Sequence, residues 1–218
     1  MRSATAAAMA ALAASLGAAL PGAGAAAPGD RGRGCAAPAS RVLARGAAMR
    51  IYETRPPAAG GARAVLACLA GHRGHMTLLA PTQLNRHTSL ARFLLAGHVA
   101  GYLETQFGVD AGTTKLVVVD VGARRVLHAI EAGSYVDAGL IFREAVVRFV
   151  LTSRGSVAWS VTREDHHQGA VASVYAAPRE GPPSLLDSGA AIEAGSLSLT
   201  GVTLSWTDGG SPRAAPMP

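Results

Sequence analysis

One short phrase recurs along this chain: an apolar pair, a tight turn containing glycine, a few alternating residues and then an aromatic. It reads "LLAGHVAGY" ending at Tyr102, "LTSRGSVAW" ending at Trp159 and "LTGVTLSW" ending at Trp206. A looser copy, "VLARGAAMRIY", ends at Tyr52. The aromatics fall about fifty residues apart, and regular spacing of about 20–50 residues is the mark of a solenoid, propeller or array. Between them a second pattern repeats: two apolar runs split by a turn. "KLVVVDVGARRVLHAI" follows Tyr102, "AVASVYAAPREGPPSLLDSG" follows Trp159 and "RAVLACLAGHRGHMTLLAP" follows Tyr52. Short runs rich in Val, Leu and Tyr, bounded by Gly, Pro and Asp, read as strands joined by hairpins. Asp208-Gly209, just after Trp206, is one more hairpin signal.

Each unit therefore holds one strand before the glycine turn, one carrying the aromatic, and a hairpin. A lone four-stranded meander leaves an apolar face in water and is marginal by itself. Stacking such sheets face to face removes that exposure, with the aromatic filling an equivalent slot between neighbours. In these features, above all "LVVVDVGARRVLH" with its strand–Asp–Gly–strand form, residues 40–215 resemble the blades of bacterial β-propellers of the WD-like, kelch-like and quinoprotein-like families. The ending from Trp206 to Arg213 is similar in style to exported proteins of GC-rich bacteria, a likeness that carries no activity with it. The resemblance implies an all-β fold, a small or partial β-propeller of about four four-stranded blades with the last incomplete. A β-sandwich is the alternative. "QLNRHTSLARFLLAG" places Leu84, Leu90, Phe93 and Leu94 at partly helical spacing, which allows one helical turn there and little helix elsewhere.

The N-terminus reads differently. Arg2 is followed by an uncharged Ala/Leu-rich run and then by small residues around Ala23-Gly24-Ala25, the parts of a secretory signal peptide. Pro21 and the neighbouring glycines end the apolar run before it makes a convincing span of about 20 residues. Cleavage is expected near Ala25 to Ala27. Cys35 follows "DRGRG", which is not the apolar stretch of a lipoprotein signal. The organisation expected is a signal peptide over 1–27, an N-terminal segment over 28–40 and a repeat domain over 41–215. The mature protein is then secreted or extracytoplasmic, without stable membrane insertion. In that compartment the two cysteines, Cys35 and Cys68, are most simply a disulfide. It ties the 28–40 segment to the strand "RAVLACLA" and stabilises by roughly 3–4 kcal/mol through loop closure.

Net charge is +6 and nearly all of the positive charge is arginine, Lys115 being the one lysine. The arginines are scattered as singles and pairs, without the clustered stripe of a nucleic-acid site. The balance suits weak attraction to an acidic cell-envelope polymer. No catalytic, cofactor-binding or metal site emerges from the motifs. His72 and His75 in "GHRGH", and His166 and His167 in "REDHHQG" beside Glu164 and Asp165, fall in expected hairpin turns, where polar residues gather without metal. There is no G-x-S-x-G elbow, and Ser156, Ser196 and Ser198 are explained by turn and strand pattern. Asp120 and Asp187 hold comparable places near hairpins, where aspartate accepts turn N–H groups.

These observations point to a non-catalytic binding or scaffolding protein whose partner is an unidentified protein or acidic envelope polymer. Contacts are expected on the loops over 80–89, 106–114 and 129–144, at Arg86, His87, Tyr135 and Asp137. One alternative is a hydrolase or lyase acting on an envelope polymer, which requires Asp137, Glu144, His98 and Arg143 to converge. Another is a structural subunit, or a homo-oligomer, docking through open sheet edges.

Overall fold

Every regular element described in the computed structural model is a strand. The description covers residues 35, 40–54, 63–72, 74–80, 87–136, 142–165 and 169–218, so the signal region over 1–27 lies outside it. Fifteen strands follow one another: β1 (Arg41–Arg45), β2 (Met49–Glu53), β3 (Val65–Leu69), β4 (Met76–Leu79), β5 (Thr88–Ala96), β6 (Val99–Phe107), β7 (Ala111–Asp120), β8 (Arg125–Val136), β9 (Phe142–Leu151), β10 (Val157–Asp165), β11 (Gly169–Ala177), β12 (Ser184–Gly189), β13 (Ile192–Thr200), β14 (Thr203–Asp208) and β15 (Ser211–Pro216). Within each of three sheets, of four (β1–β4), eight (β5–β12) and three (β13–β15) strands, consecutive strands pair antiparallel. None of the sheets closes on itself. The all-β expectation holds, and the face-to-face packing described below also fits the sandwich alternative.

The eight-stranded sheet is nearly two. β8 and β9 pair through only three residue pairs, Ser134↔Glu144, Tyr135↔Arg143 and Val136↔Phe142, and then part. Gly133 makes the junction possible, since a Cβ there would lie 2.7 Å from the Glu144 carbonyl oxygen. By ladder the strands thus fall into groups of four, four, four and three: β1–β4, β5–β8, β9–β12 and β13–β15.

Three apolar layers hold these groups face to face. Met49, Ile51 and Ala67 of the first meet Ala100, Tyr102 and Val117 of the second. Val99, Leu103, Leu116 and Val118, on the opposite face of the second, meet Phe149, Trp159 and Val161 of the third. Ala158 and Val174 of the third meet Leu197, Leu204 and Trp206 of the fourth. This explains "KLVVVD" in β7: a strand covered on both faces needs no polar alternation. The first strands also neighbour one another, β1 against β5, β5 against β9 and β9 against β13.

Tyr52, Tyr102, Trp159 and Trp206 all lie on the second strand of their group, and all are buried. Tyr102, Trp159 and Trp206 each face the preceding group. Tyr52 faces away from the other three groups and packs with Leu66, Cys35 and Cys68. The Cys35–Cys68 disulfide, with Cα atoms 5.5 Å apart, places Cys35 on this face beside Tyr52. On the last group the outward residues of β14 are Thr203, Ser205 and Thr207, with Ser205 sharing a 2.9 Å hydroxyl contact with Ser198. A polar outer face is what the end of a stacked array requires.

The glycine turns have the geometry their sequence asked for: Gly97, Gly155 and Gly201 take φ of 61°, 100° and 60°, where a side chain would be strained. Three expectations need correction. "SLARFLLA" belongs to β5 and forms no helical turn. Arg92 adopts φ 53° at a bulge between Ala91 and Leu94, so Leu90, Phe93 and Leu95 share a face at spacings that imitate a helix. The proposed loops over 106–114 and 129–144 are mostly strand: only 108–110 separate β6 from β7, and β8 continues to Val136. Asp187 lies within β12, where it accepts a 2.8 Å hydrogen bond from Trp206 Nε1, and is not placed like Asp120.

Candidate functional site

The seam between β5–β8 and β9–β12 has two ends of different chemistry. At one end the hairpin turns meet around Asp120, the last residue of β7, whose side chain is 4 % exposed. Its Oδ1 accepts the Ala123 N–H at 2.9 Å, as a turn aspartate should. Its Oδ2 accepts from Arg179 Nη2 at 3.1 Å and lies 3.5 Å from His98 Nε2. Arg179 also donates through Nη1 to the Arg154 carbonyl at 2.9 Å, so one carboxylate ties turns of the second group to turns of the third. Burial pushes the Asp120 carboxyl up, but the Ala123 N–H, Arg179 and His98 together outweigh it and hold the group below its ordinary value. Nearby, His128 is buried, and desolvation lowers its pKa against a hydrogen bond to the Pro178 carbonyl. Its Nε2 has no hydrogen-bond partner among the described residues. All of this chemistry is spent on cohesion.

The opposite end is open. Beside the three pairs that join β8 to β9, a cavity of about 540 Å³ lies among β5, β6, β7, β8 and β9. Leu103 and Val146 make its floor, and Thr105, Thr114, Tyr135 and Arg143 line its walls. The two threonines face each other across the β6–β7 ladder with hydroxyls 3.1 Å apart. Tyr135 lies over Gly112, its cross-strand partner, where an added Cβ would come within 2.2 Å of the ring. That pairing holds the phenol at the cavity wall.

Arg92 spans the same opening. From the bulge in β5 its Nη1 donates to the Val146 carbonyl at 3.2 Å and to the Val147 carbonyl of β9. Both residues lie beyond the last β8–β9 pair, and Val147 falls at the irregularity in the β9–β10 register. The contact has an echo one group later, where Arg148 of β9 donates to the Gly195 carbonyl of β13 at 3.2 Å. Arg92 and Arg148 hold matching places, as "ARFLLAGHVAGY" and "VRFVLTSRGSVAW" show when aligned on their Arg-Phe pairs, the second turn being two residues longer. In the last group the position is Ser196, which bonds within its own sheet, to the Glu193 carbonyl and the Thr207 N–H. The repeated Arg-Phe was the available signal for these staples, and the aromatic-centred reading passed over it.

Of the four residues that the hydrolase alternative requires, Arg143 and Glu144 both line the cavity. His98 lies at the other end of β6, about seven residues and on the order of 24 Å along the strand, beside Asp120. Asp137 lies outside the described residues, as do Arg86, His166 and His167. Tyr135, expected in a loop, reaches the cavity from the end of β8, and His87 is exposed just before β5. His72 and His75 sit on the β3–β4 turn against Gly74 and Arg124, lining a cleft of about 30 Å³. Among the described residues no three His, Cys, Asp or Glu side chains form a metal-binding group, and no helix is long and apolar enough to cross a membrane. No protein-family model matches the chain, and no curated protein matches it either.

Proposed function

We propose that this chain is an exported, non-catalytic binding or scaffolding protein of the cell envelope or extracellular space, built as an open arc of four propeller-like blades. The observation that carries the binding reading is the cavity of about 540 Å³ between the second and third strand groups, with an apolar floor and a few polar walls. Its size lies within the roughly 300–1,000 Å³ usual for small-molecule sites. The blade reading is supported over the plain sandwich by the four-four-four-three grouping, by the run of adjacent first strands and by the aromatic facing the preceding group. An open arc suits the two outer faces, one carrying the Cys35–Cys68 bridge and the other polar.

Export is supported by the Cys35–Cys68 bridge, which persists in an oxidising compartment, and by the signal-like N-terminus. The net charge of +6 suits an acidic polymer or a protein with an acidic surface as the larger partner. Association through open edges is disfavoured at β15, where Pro212 and Pro216 remove ladder donors.

Expression of the full chain in a bacterial host, with N-terminal sequencing of the product outside the cytoplasmic membrane, tests export. A start near Ala25 to Ala27 and a bridge that only reductant breaks are expected. An uncleaved, reduced cytoplasmic product would overturn that part. A thermal-shift screen of small anions, sugars and envelope-polymer fragments tests binding. A rise in unfolding temperature without turnover of the compound is expected, and hydrolysis of a screened compound would overturn the non-catalytic reading.

A further inference from the structure

We infer that the cavity between β5–β8 and β9 takes an amphipathic monoanion, with its carboxylate-like head at Arg143 and its apolar tail against Leu103 and Val146. The inference deepens the proposed function and rests on reading that cavity as a binding site.

The charge balance carries the head group. Two guanidiniums, Arg92 and Arg143, and one carboxylate, Glu144, line the cavity. Arg92 is held by the neutral carbonyls of Val146 and Val147, so its hydrogen bonds leave its positive charge uncompensated. Arg143 is exposed and makes no ion pair among the described residues. In the β9–β10 ladder Glu144 stands opposite Arg163 and Arg143 opposite Glu164, so with these two neighbours counted the charges still sum to one positive. The balance of one positive charge suits one anionic group, and guanidinium matches a planar carboxylate better than a point charge does.

The surroundings carry the tail. Leu103 and Val146 are buried at the floor, whereas Phe107 and Val136 at the mouth are 43 % and 40 % exposed. Large apolar side chains left in water around a cavity that already has an apolar floor mark a surface that an apolar ligand covers. The hydroxyls of Thr105, Thr114 and Tyr135 suit a few polar contacts between head and tail. A cationic head would meet Arg143, and a neutral one would leave that charge unanswered.

The test is calorimetric titration of the folded protein with three ten-carbon probes below their micellar concentrations: decanoate, decan-1-ol and decyltrimethylammonium. Decanoate is expected to bind at one site, at least about tenfold tighter than the alcohol, with no binding of the ammonium ion. NMR shifts should centre on Phe107, Val136 and Val146. Arg143→Met keeps the apolar stem and should weaken decanoate about tenfold, while Arg143→Lys should stay within about threefold of the parent. Arg143 is exposed, so both variants should keep the parental unfolding midpoint. Equal binding of all three probes would overturn the head-group assignment and leave the cavity as a binding site. Decanoate binding that is indifferent to Arg143→Met would overturn the assigned position. Failure of all three probes to bind would overturn the cavity reading itself.

Discussion

The two ends of the seam between the second and third strand groups are made from the same strands and behave oppositely. At the turn end Asp120 is buried and engaged by Ala123, Arg179 and His98, so its charge joins hairpins distant in sequence. At the other end β8 and β9 are joined by only three pairs, and Arg143, Tyr135 and the two threonines line a cavity beside that junction. The difference teaches how one pair of strand groups can place its polar side chains to two ends. Polar groups that are buried and mutually satisfied hold the groups together, and those left around an opening are available to a ligand. The outermost groups differ in a parallel way. The first turns an apolar face with Tyr52 outwards, against which the Cys35–Cys68 bridge packs, while the last turns Thr203, Ser205 and Thr207 outwards.

The largest effect should come from the bridge on the first group. Cys35→Ser removes the bridge that packs against Tyr52 and should lower stability by about 3–4 kcal/mol, read as the fall in denaturant midpoint against the oxidised parent. Asp120→Ala should follow, at about 2–3 kcal/mol in the same assay, because it removes a buried carboxylate while Arg179 and His98 keep partial access to water. Arg92→Met loosens the staple between β5 and β9 and should remove about 1–2 kcal/mol. Arg143→Met should change stability by less than about 0.5 kcal/mol. If Arg143→Met destabilised as much as Asp120→Ala, the division between the two ends would fail.

Acid should weaken the turn end in two stages. His128 has its folded pKa lowered below the ordinary 6.5, so its contribution is present above that value and is lost as pH falls towards the folded value. Asp120 is lowered below the ordinary 3.8, so its contribution is present above that value and is lost as pH falls further, through the folded value. Unfolding midpoints between neutrality and strong acid should show both declines, and Asp120→Ala should abolish the lower one. An unchanged lower decline in that variant would remove Asp120 from the account.

Much of the strand plan was legible because its causes are local. A glycine at positive φ and an aromatic two or three alternations later repeat whatever the surroundings, so Gly97 with Tyr102 and Gly155 with Trp159 could be read directly. The bridge was legible from two cysteines and a signal-like leader. What escaped depends on residues far apart. Arg92 and Val147 are 55 positions apart, and nothing near either one announces the contact. The bulge at Arg92 disguised a strand as a helical turn, and the close approach of β8 to β9 permitted at Gly133, beside the cavity, is announced by no motif. Tyr135 was singled out as a contact residue for being in a loop. It reaches the cavity from a strand, pinned over Gly112.

Native-state amide hydrogen exchange along β7 and β8 tests the division of the seam most directly, since both strands run from the Asp120 turn to the cavity. Slow exchange at Val118, Val119 and His128, rising steadily towards Thr114, Ser134 and Tyr135, is the expected profile. Uniform protection along both strands, or a gradient running the other way, would contradict a seam locked at its turns and open at its cavity.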